Sequence, residues 1–320
     1  MAICVSGSHT LFVNRSNLKT AAVMSREKKM RAQYDLKQGK SRNFHELPSG
    51  LSMEVIVQKG AEKNTNVEYP PMVFVHVSYY AARCWAEHWL PFFSSSGHDG
   101  YAISLLGQGE SDSPADSVAG ALQTHARDVA DFICRNIRSP PVLALTMVNC
   151  LVYYNTSLLH EDLYPKLKGA VLVCSVPPSG NSGIVRRYIF SKPIVAFKAA
   201  KAFQTSLSLC KETFFSATME DHVVKRYQEL MKESSRMSLF DLRKLNASLP
   251  VPSVTNCPFE ILVMDAKDDF IVDTEGLVET AKFYDVSPVS VEAVAHDMML
   301  DVSWEKGAKV ILSWLKGLEK

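Results

Sequence analysis

The sequence predicts an α/β fold in which helices cover both faces of a mostly parallel central sheet. Short apolar runs alternate with segments of helical periodicity from about residue 50 onward. The apolar runs are largely continuous, as expected of strands that are buried on both faces of a parallel sheet. Between residues 180 and 248 the alternation stops, because helical segments follow one another without a strand. This region is predicted to be a helical lid inserted between two strands.

The order of the elements follows from these patterns. The segments with the strand pattern are, in chain order, MEVIVQKG, PMVFVHV, YAISLL, PVLALTM, GAVLVCSV, FEILVMDAKDD and VSVEAVAHDMML. The helical segments outside the lid are CWAEHWLPFFSSSGHDG, VAGALQTHARDVADFICRNI, VNCLVYYNTSLL and the amphipathic WEKGAKVILSWLKGLEK. In a parallel sheet of this kind ligands bind at the carboxyl ends of the strands. The loops that follow these strands are therefore the places to look for chemistry.

The N-terminal segment 1–45 differs from the rest of the chain. Its first part, MAICVSGSHTLFVNRSNLKTAAVMSR, contains no acidic residue, several serines, and the basic residues Arg15, Lys19 and Arg26. This composition is typical of an organelle transit peptide. We predict a chloroplast location; the alternatives are a mitochondrial peptide or a disordered N-terminus on a cytoplasmic protein. The α/β core is then expected at 46–179 and 249–320, with the lid at 180–248.

Charge and cysteine content exclude several classes of function. The 35 basic and 34 acidic side chains give a net charge of +1, which provides no electrostatic reason to expect nucleic acid as a partner. No apolar run reaches the roughly 18 residues of a membrane-spanning helix. The 7 cysteines are odd in number and lack C-x-x-C spacing, so neither a disulfide scaffold nor a metal site is expected. No cofactor is predicted either.

Several local motifs resemble those of the α/β-hydrolase superfamily, in the style of plant esterase and lipase-like proteins. VFVHVSYYAARCWAEHW resembles the strand and His-Gly loop that help to form the oxyanion hole, and YAISLLGQGESDSP resembles the loop that follows it. PVLALTMVNCL lies at the place of the nucleophile turn, ILVMDAKDDFIVD resembles the acid loop, and VAHDMMLD resembles the histidine loop. The match covers about residues 50–318, in the family's order of nucleophile, acid and histidine.

Carried over to this sequence, the resemblance implies an acid and a base. The acid is Asp268, with its neighbour Asp269 as the substitute, and the base is His296. An aspartate can hold an imidazole in one tautomer and stabilise its charged form, which makes the histidine a usable general base.

The nucleophile turn departs from the family pattern. The family has Gly-x-Ser-x-Gly, whereas this chain has Leu-Thr-Met-Val-Asn, so Met147 occupies the nucleophile position and Leu145 and Asn149 replace the glycines. A thioether cannot be deprotonated and forms no useful acyl intermediate. In the oxyanion loop His76 is present, but Val77 stands where the family has glycine, and Ser78 follows as a candidate ligand contact. Losing one oxyanion donor typically lowers the rate by about 10²–10³.

Two side chains are candidate substitutes for the missing serine. Cys150 lies one turn into the next helix, and Ser175 follows a neighbouring strand. The alternatives are a buried core thiol for Cys150 and a hydrogen bond to the backbone for Ser175. His125 and Asp128 share a helix face and are expected to be solvated rather than catalytic.

Three hypotheses of function remain open. The chain is a protein of esterase or lipase-like ancestry that has lost serine catalysis and binds a small apolar or ester-like ligand, or a partner protein. Alternatively, it is a hydrolase or lyase that acts on a small ester-like substrate through an Asp268–His296 dyad or a substitute nucleophile. In the third hypothesis the residues 144–150 come from a variant transcript or gene model of an ordinary serine esterase.

Overall fold

The core of the protein is an 8-stranded sheet that is parallel except at one edge. The computed structural model describes residues 34–62, 69–76, 78–146, 165–180, 206–234, 236–241, 245, 249 and 257–318. The strands are β1 Ser41–Glu46, β2 Ser52–Gln58, β3 Met72–Val75, β4 Gly100–Ile103, β5 Val142–Leu145, β6 Gly169–Val173, β7 Glu260–Ala266 and β8 Pro288–Val291.

The strand order is β1-β2-β4-β3-β5-β6-β7-β8. β1 and β2 pair antiparallel, as do β2 and β4. All other neighbours pair in parallel. The carboxyl ends of β3 to β8 therefore meet at one edge of the sheet, where parallel α/β sheets bind ligands.

The first strand was not predicted from the sequence. β1 lies almost entirely within the segment 1–45, for which a transit peptide or a disordered N-terminus was predicted, so the sheet begins earlier than residue 46. Residues 34–320 form one compact unit. The prediction missed β1 because an edge strand gives a weak hydrophobic signal: Phe44, its one large apolar residue, is 43% exposed.

Helices cover both faces of the sheet, as predicted. Within the described residues they are α1 Arg83–Ala86, α2 Trp89–Ser95, α3 Leu122–Asn136, α4 Leu207–Phe214, α5 Asp221–Ser234, α6 Thr274–Phe283 and α7 Trp304–Leu318. The single helix predicted near residues 84–97 is divided into α1 and α2. None of the described helices is both long and apolar enough to cross a membrane.

Alternate strand residues point into two separate core layers, because successive side chains of a strand face opposite sides of the sheet. Phe74 of β3 packs in one layer, together with Ile311 of α7. Its neighbour Val73 packs in the other layer, with Val129 of α3 and Leu277 of α6. This three-layer arrangement explains why the strand segments read as continuous apolar runs.

Part of the predicted lid is described. α4 and α5 lie in the segment 180–248, and α5 corresponds to the predicted helix MEDHVVKRYQELMKESS. The first predicted lid helix lies entirely within 181–205, and the last includes 242–244 and 246–248; these parts lie outside the described residues.

Candidate functional site

The carboxyl edge of the sheet brings His296 against a buried carboxylate. His296 follows β8, and its Nδ1 lies 2.8 Å from Oδ2 and 3.0 Å from Oδ1 of Asp269. The side chain of Asp269 is 1% exposed and that of His296 is 12% exposed. Since a carboxylate only accepts hydrogen bonds, Nδ1 carries the hydrogen, and in the neutral ring Nε2 is the acceptor nitrogen.

The acid of this pair is Asp269, which corrects the choice of Asp268 made from the sequence. The backbone N–H of Asp269 donates to Ala266 O in a tight turn after β7, and this turn directs the Asp269 side chain inward. The side chain of Asp268 is exposed, and its backbone N–H donates to Val294 O. Adjacent residues in a turn point in different directions, so the motif DD alone could not distinguish them.

Backbone donors hold the Asp269 carboxylate in place. Its Oδ1 accepts from the backbone N–H of Ile271 at 2.6 Å and from that of Val272 at 2.8 Å. Burial by itself lowers the pKa of His296, but the charge and hydrogen bond of Asp269 outweigh this effect and the pKa is raised above its ordinary value. The pair is thus arranged to hold an imidazolium, as a general base requires after it accepts a proton.

A second buried carboxylate connects the loop of His296 to the predicted oxyanion loop. Asp297 accepts a hydrogen bond from the hydroxyl of Tyr80, which also lies 3.4 Å from Met231 Sδ in the lid helix α5. Burial raises the pKa of Asp297 to about 7, although the charge of His296 and the bond from Tyr80 oppose this shift. Through Asp297 and Tyr80, the histidine loop, the loop of Tyr80 and helix α5 are therefore in contact with one another.

Helix α4, in the predicted lid segment, also contacts the histidine loop directly. The backbone N–H of Asp297 donates to Phe214 O at the end of α4, and the ring of Phe214 lies 6.2 Å from the ring of His296. An open depression of about 700 Å³ adjoins this contact. Phe215, Asp268 and Ala295 are among the residues that line it, so it lies between the lid and the acid and histidine loops.

The oxyanion loop is only partly described. His76 is buried, and its Nε2 accepts from the backbone N–H of Leu105, so this ring holds the loop rather than facing a ligand. Val77 lies outside the described residues. Ser78 is half-buried in a turn, and Tyr79 adopts φ 75°, a left-handed conformation that costs a side-chain-bearing residue about 1 kcal/mol or more.

The nucleophile turn begins at the end of β5. Thr146 is buried directly after this strand, and its hydroxyl has no hydrogen-bond partner among the described residues. Met147, Asn149 and Cys150 lie outside the described residues, so the predictions for these positions remain predictions.

Ser175 and Cys174 follow β6, next to the acid loop. Ser175 is buried, and its Oγ has no hydrogen-bond partner in the described part of the chain, so it makes no bond to the neighbouring described backbone. Cys174 is buried with φ 46°. Burial and the charges of Asp269 and Asp265 raise the pKa of the Cys174 thiol well above its ordinary value.

No metal site was predicted from the sequence, yet the structure groups three side chains that can ligate metals. One potential ligand atom from each of Cys174, Asp269 and His296 lies within 4.8 Å of the other two. Asp265 lies close to this group, since its charge acts on both Cys174 and Asp269. The sequence contains only one indication of this group, the position of its members: Cys174 ends a strand segment, and Asp265 precedes the acid loop.

The predicted solvation of α3 is wrong for His125. This ring is 0% exposed, and its Nε2–H donates to Leu239 O at 3.2 Å. Burial lowers the pKa of His125 to about 4. Asp128 is mostly buried as well, and burial raises its pKa to about 7. Both residues lie on α3, away from the pair of His296 and Asp269.

Comparison with known proteins identifies the fold. No protein-family model matches the sequence, and no curated protein matches it in sequence. Solved structures match over most of the chain. An esterase from Thermogutta terrifontis has a TM-score of 0.63 at 14% identity, covering 88% of this chain and 100% of its own. An epoxide hydrolase from Vigna radiata has a TM-score of 0.62 at 16% identity, covering 88% of this chain and 99% of its own.

A third structure is described by its fold: an α/β-hydrolase fold protein from Burkholderia ambifaria. It has a TM-score of 0.59 at 16% identity and covers 88% of this chain and 99% of its own. The protein described here has the α/β-hydrolase fold, and the predicted fold class is confirmed.

Proposed function

We propose that this α/β-hydrolase-fold protein lacks ordinary serine hydrolase activity and binds a small apolar or ester-like ligand. One observation carries the proposal: His296 and Asp269 are assembled at the sheet edge, while the residues 145–149 read Leu-Thr-Met-Val-Asn and provide no serine. Loss of the catalytic serine lowers the rate of a serine hydrolase by about 10⁶. Binding does not require that nucleophile.

The surroundings of the pair support a ligand site. The depression of about 700 Å³ beside Asp268 and Ala295 is lined on its other side by residues of the predicted lid. Phe215 and Ala295 contribute apolar surface there, and Lys211 and Asp268 contribute charged groups. The ring of His296 is reached through its contact with Phe214, the chain neighbour of Phe215.

A dyad enzyme is the second candidate, and the hydrogen bond between His296 and Asp269 favours it. Held at 2.8 Å by a buried carboxylate, the imidazole can accept a proton at Nε2 from water or from a bound substrate. In this case a hydrolase or lyase reaction proceeds without the serine. Ser175 is the substitute nucleophile predicted from the sequence that lies among the described residues, and its buried hydroxyl is unpartnered among them, as is that of Thr146.

A fluorophosphonate probe and an ester panel separate these functions. The proposal predicts no covalent labelling and no turnover above background, together with saturable binding of a non-hydrolysable apolar ester measured by quenching of tryptophan fluorescence. Labelling that is lost in Ser175→Ala identifies a substitute nucleophile and contradicts the proposal. Turnover that is lost in His296→Ala supports the dyad enzyme instead.

The variant-transcript hypothesis needs a separate test at the level of the gene. The genomic DNA around the codons for residues 144–150 is expected to encode the same Leu-Thr-Met-Val-Asn sequence. A nearby alternative exon that encodes Gly-x-Ser-x-Gly would show that a serine-containing form exists, and the missing nucleophile would then be a property of this transcript.

A further inference from the structure

The group formed by Cys174, Asp269 and His296 has the residues and burial of a metal site. One potential ligand atom of each lies within 4.8 Å of the other two. Cys174 is 3% exposed, and the side chains of Asp269 and His296 are 1% and 12% exposed. They follow three adjacent strands, β6, β7 and β8. We propose that these three side chains bind a divalent metal ion with the ligand preferences of Zn²⁺.

The donor set suits such an ion. Thiolate sulfur, imidazole nitrogen and carboxylate oxygen are the zinc ligands found in proteins, and a soft thiolate disfavours Mg²⁺ and Ca²⁺. Ligand atoms around a tetrahedral zinc ion lie about 3.5 Å apart. The Cys174 sulfur therefore needs to approach the other two ligand atoms by at most about 1.3 Å, while the Asp269–His296 contact opens slightly. Three protein ligands leave the fourth position to water.

Asp265 is the second observation that indicates a cation. It is 3% exposed, and its Oδ1 has no hydrogen-bond partner among the described residues. Unpartnered buried polar atoms are uncommon in native proteins and call for a specific explanation. Asp265 also has a side-chain hydrogen bond with Ser290, and it interacts electrostatically with both Cys174 and Asp269. Burial raises the pKa of Asp265 to about 7, and a nearby cation would favour its charged form. A divalent ion would balance this concentration of negative charge.

A nucleophilic role for Cys174 fits the same surroundings less well. Reactive cysteines lie in partly exposed, electropositive places that stabilise the thiolate. Cys174 is instead buried, and the carboxylates of Asp269, Asp265 and Asp297 act on it. A bound metal supplies the missing positive charge directly, because a thiol that coordinates a metal is deprotonated. The metal site is independent of the proposed function, and it gives His296 and Asp269 a role that needs no serine.

A titration of the chelator-treated full chain with Co²⁺ tests the proposal. Co²⁺ serves as a spectroscopic substitute for Zn²⁺, since a thiolate ligand produces a sulfur-to-cobalt charge-transfer band in the near ultraviolet. We expect about one Co²⁺ per chain with this band, and loss of the band when Zn²⁺ is added. We expect Cys174→Ser to abolish the band and His296→Gln to weaken Co²⁺ binding at least about tenfold, as even outer-shell changes can do.

Cys134→Ser is the control, because Cys134 is an exposed thiol on α3 and a band from it would be adventitious. This variant is expected to keep the band. Absence of a band in the wild type overturns the proposal, as does a band that survives Cys174→Ser. If circular dichroism shows that Cys174→Ser does not fold, His296→Gln decides: weakened binding supports the site, and unchanged binding overturns it.

Discussion

Replacing Asp269 by asparagine is expected to lower the free energy of unfolding by about 2–3 kcal/mol, whereas Asp268→Asn is expected to change it by less than about 0.5 kcal/mol. The two substitutions are chemically identical and affect adjacent residues. They differ only in what surrounds the carboxylate, which makes each the control for the other.

The magnitude follows from the contacts of Asp269. Its carboxylate is 1% exposed and accepts from the backbone N–H groups of Ile271 and Val272 and from the ring of His296. A hydrogen bond to a charged group contributes about 1.5–3 kcal/mol and a neutral one about 0.5–1.5, so asparagine loses about 1 kcal/mol for each donor. Asp268 is exposed, and water replaces any contact that its side chain loses.

Urea unfolding at pH 7 in the presence of a chelator provides the measurement, with the fluorescence of the 4 tryptophans as the signal. The chelator keeps any metal from contributing to stability. An Asp268→Asn variant that loses as much stability as Asp269→Asn, or more, would refute the assignment of Asp269 as the partner of His296.

Three further predictions concern other parts of the chain. Burial lowers the pKa of His125 to about 4 from 6.5, so the folded state resists protonation, and this residue should reduce stability by about 3 kcal/mol as the pH falls from 7 to 4. In urea titrations His125→Gln should lack this component, whereas His222→Gln, at a histidine of α5 that is 77% exposed, should retain it; an unchanged acid slope in His125→Gln would contradict the reasoning. Gly109→Ala should destabilise by about 1–3 kcal/mol more than Gly50→Ala. Both glycines have positive φ, but a Cβ at Gly109 would lie 2.5 Å from Glu54 Oε2, while nothing lies within 4 Å at Gly50; equal melting temperatures for the two variants would argue against this contact. Residues 1–33 fused to a fluorescent protein should direct it to chloroplasts; a diffuse cytoplasmic signal would rule out the transit peptide.

The sequence by itself determined the fold class. Strands buried on both faces of a sheet must be apolar at every position, so the core strands from β2 onward, such as β3 and β5, are visible in the sequence without any knowledge of contacts. The amphipathic periodicity of α3 and α7 is visible for the same reason, since each helix buries one side. The edge strand β1 was missed because its stability depends on backbone pairing with β2 rather than on burial.

For the site, the sequence determined the loops but not the contacts within them. It identified His296 and the pair of neighbouring aspartates, because these follow strand segments in a recognisable order. Only the tertiary structure decided that Asp269 faces the imidazole, since this depends on the turn closed by Ala266 O. The proximity of Cys174 was likewise hidden, because it arises from the parallel pairing of β6 with β7 between segments that are far apart in the chain.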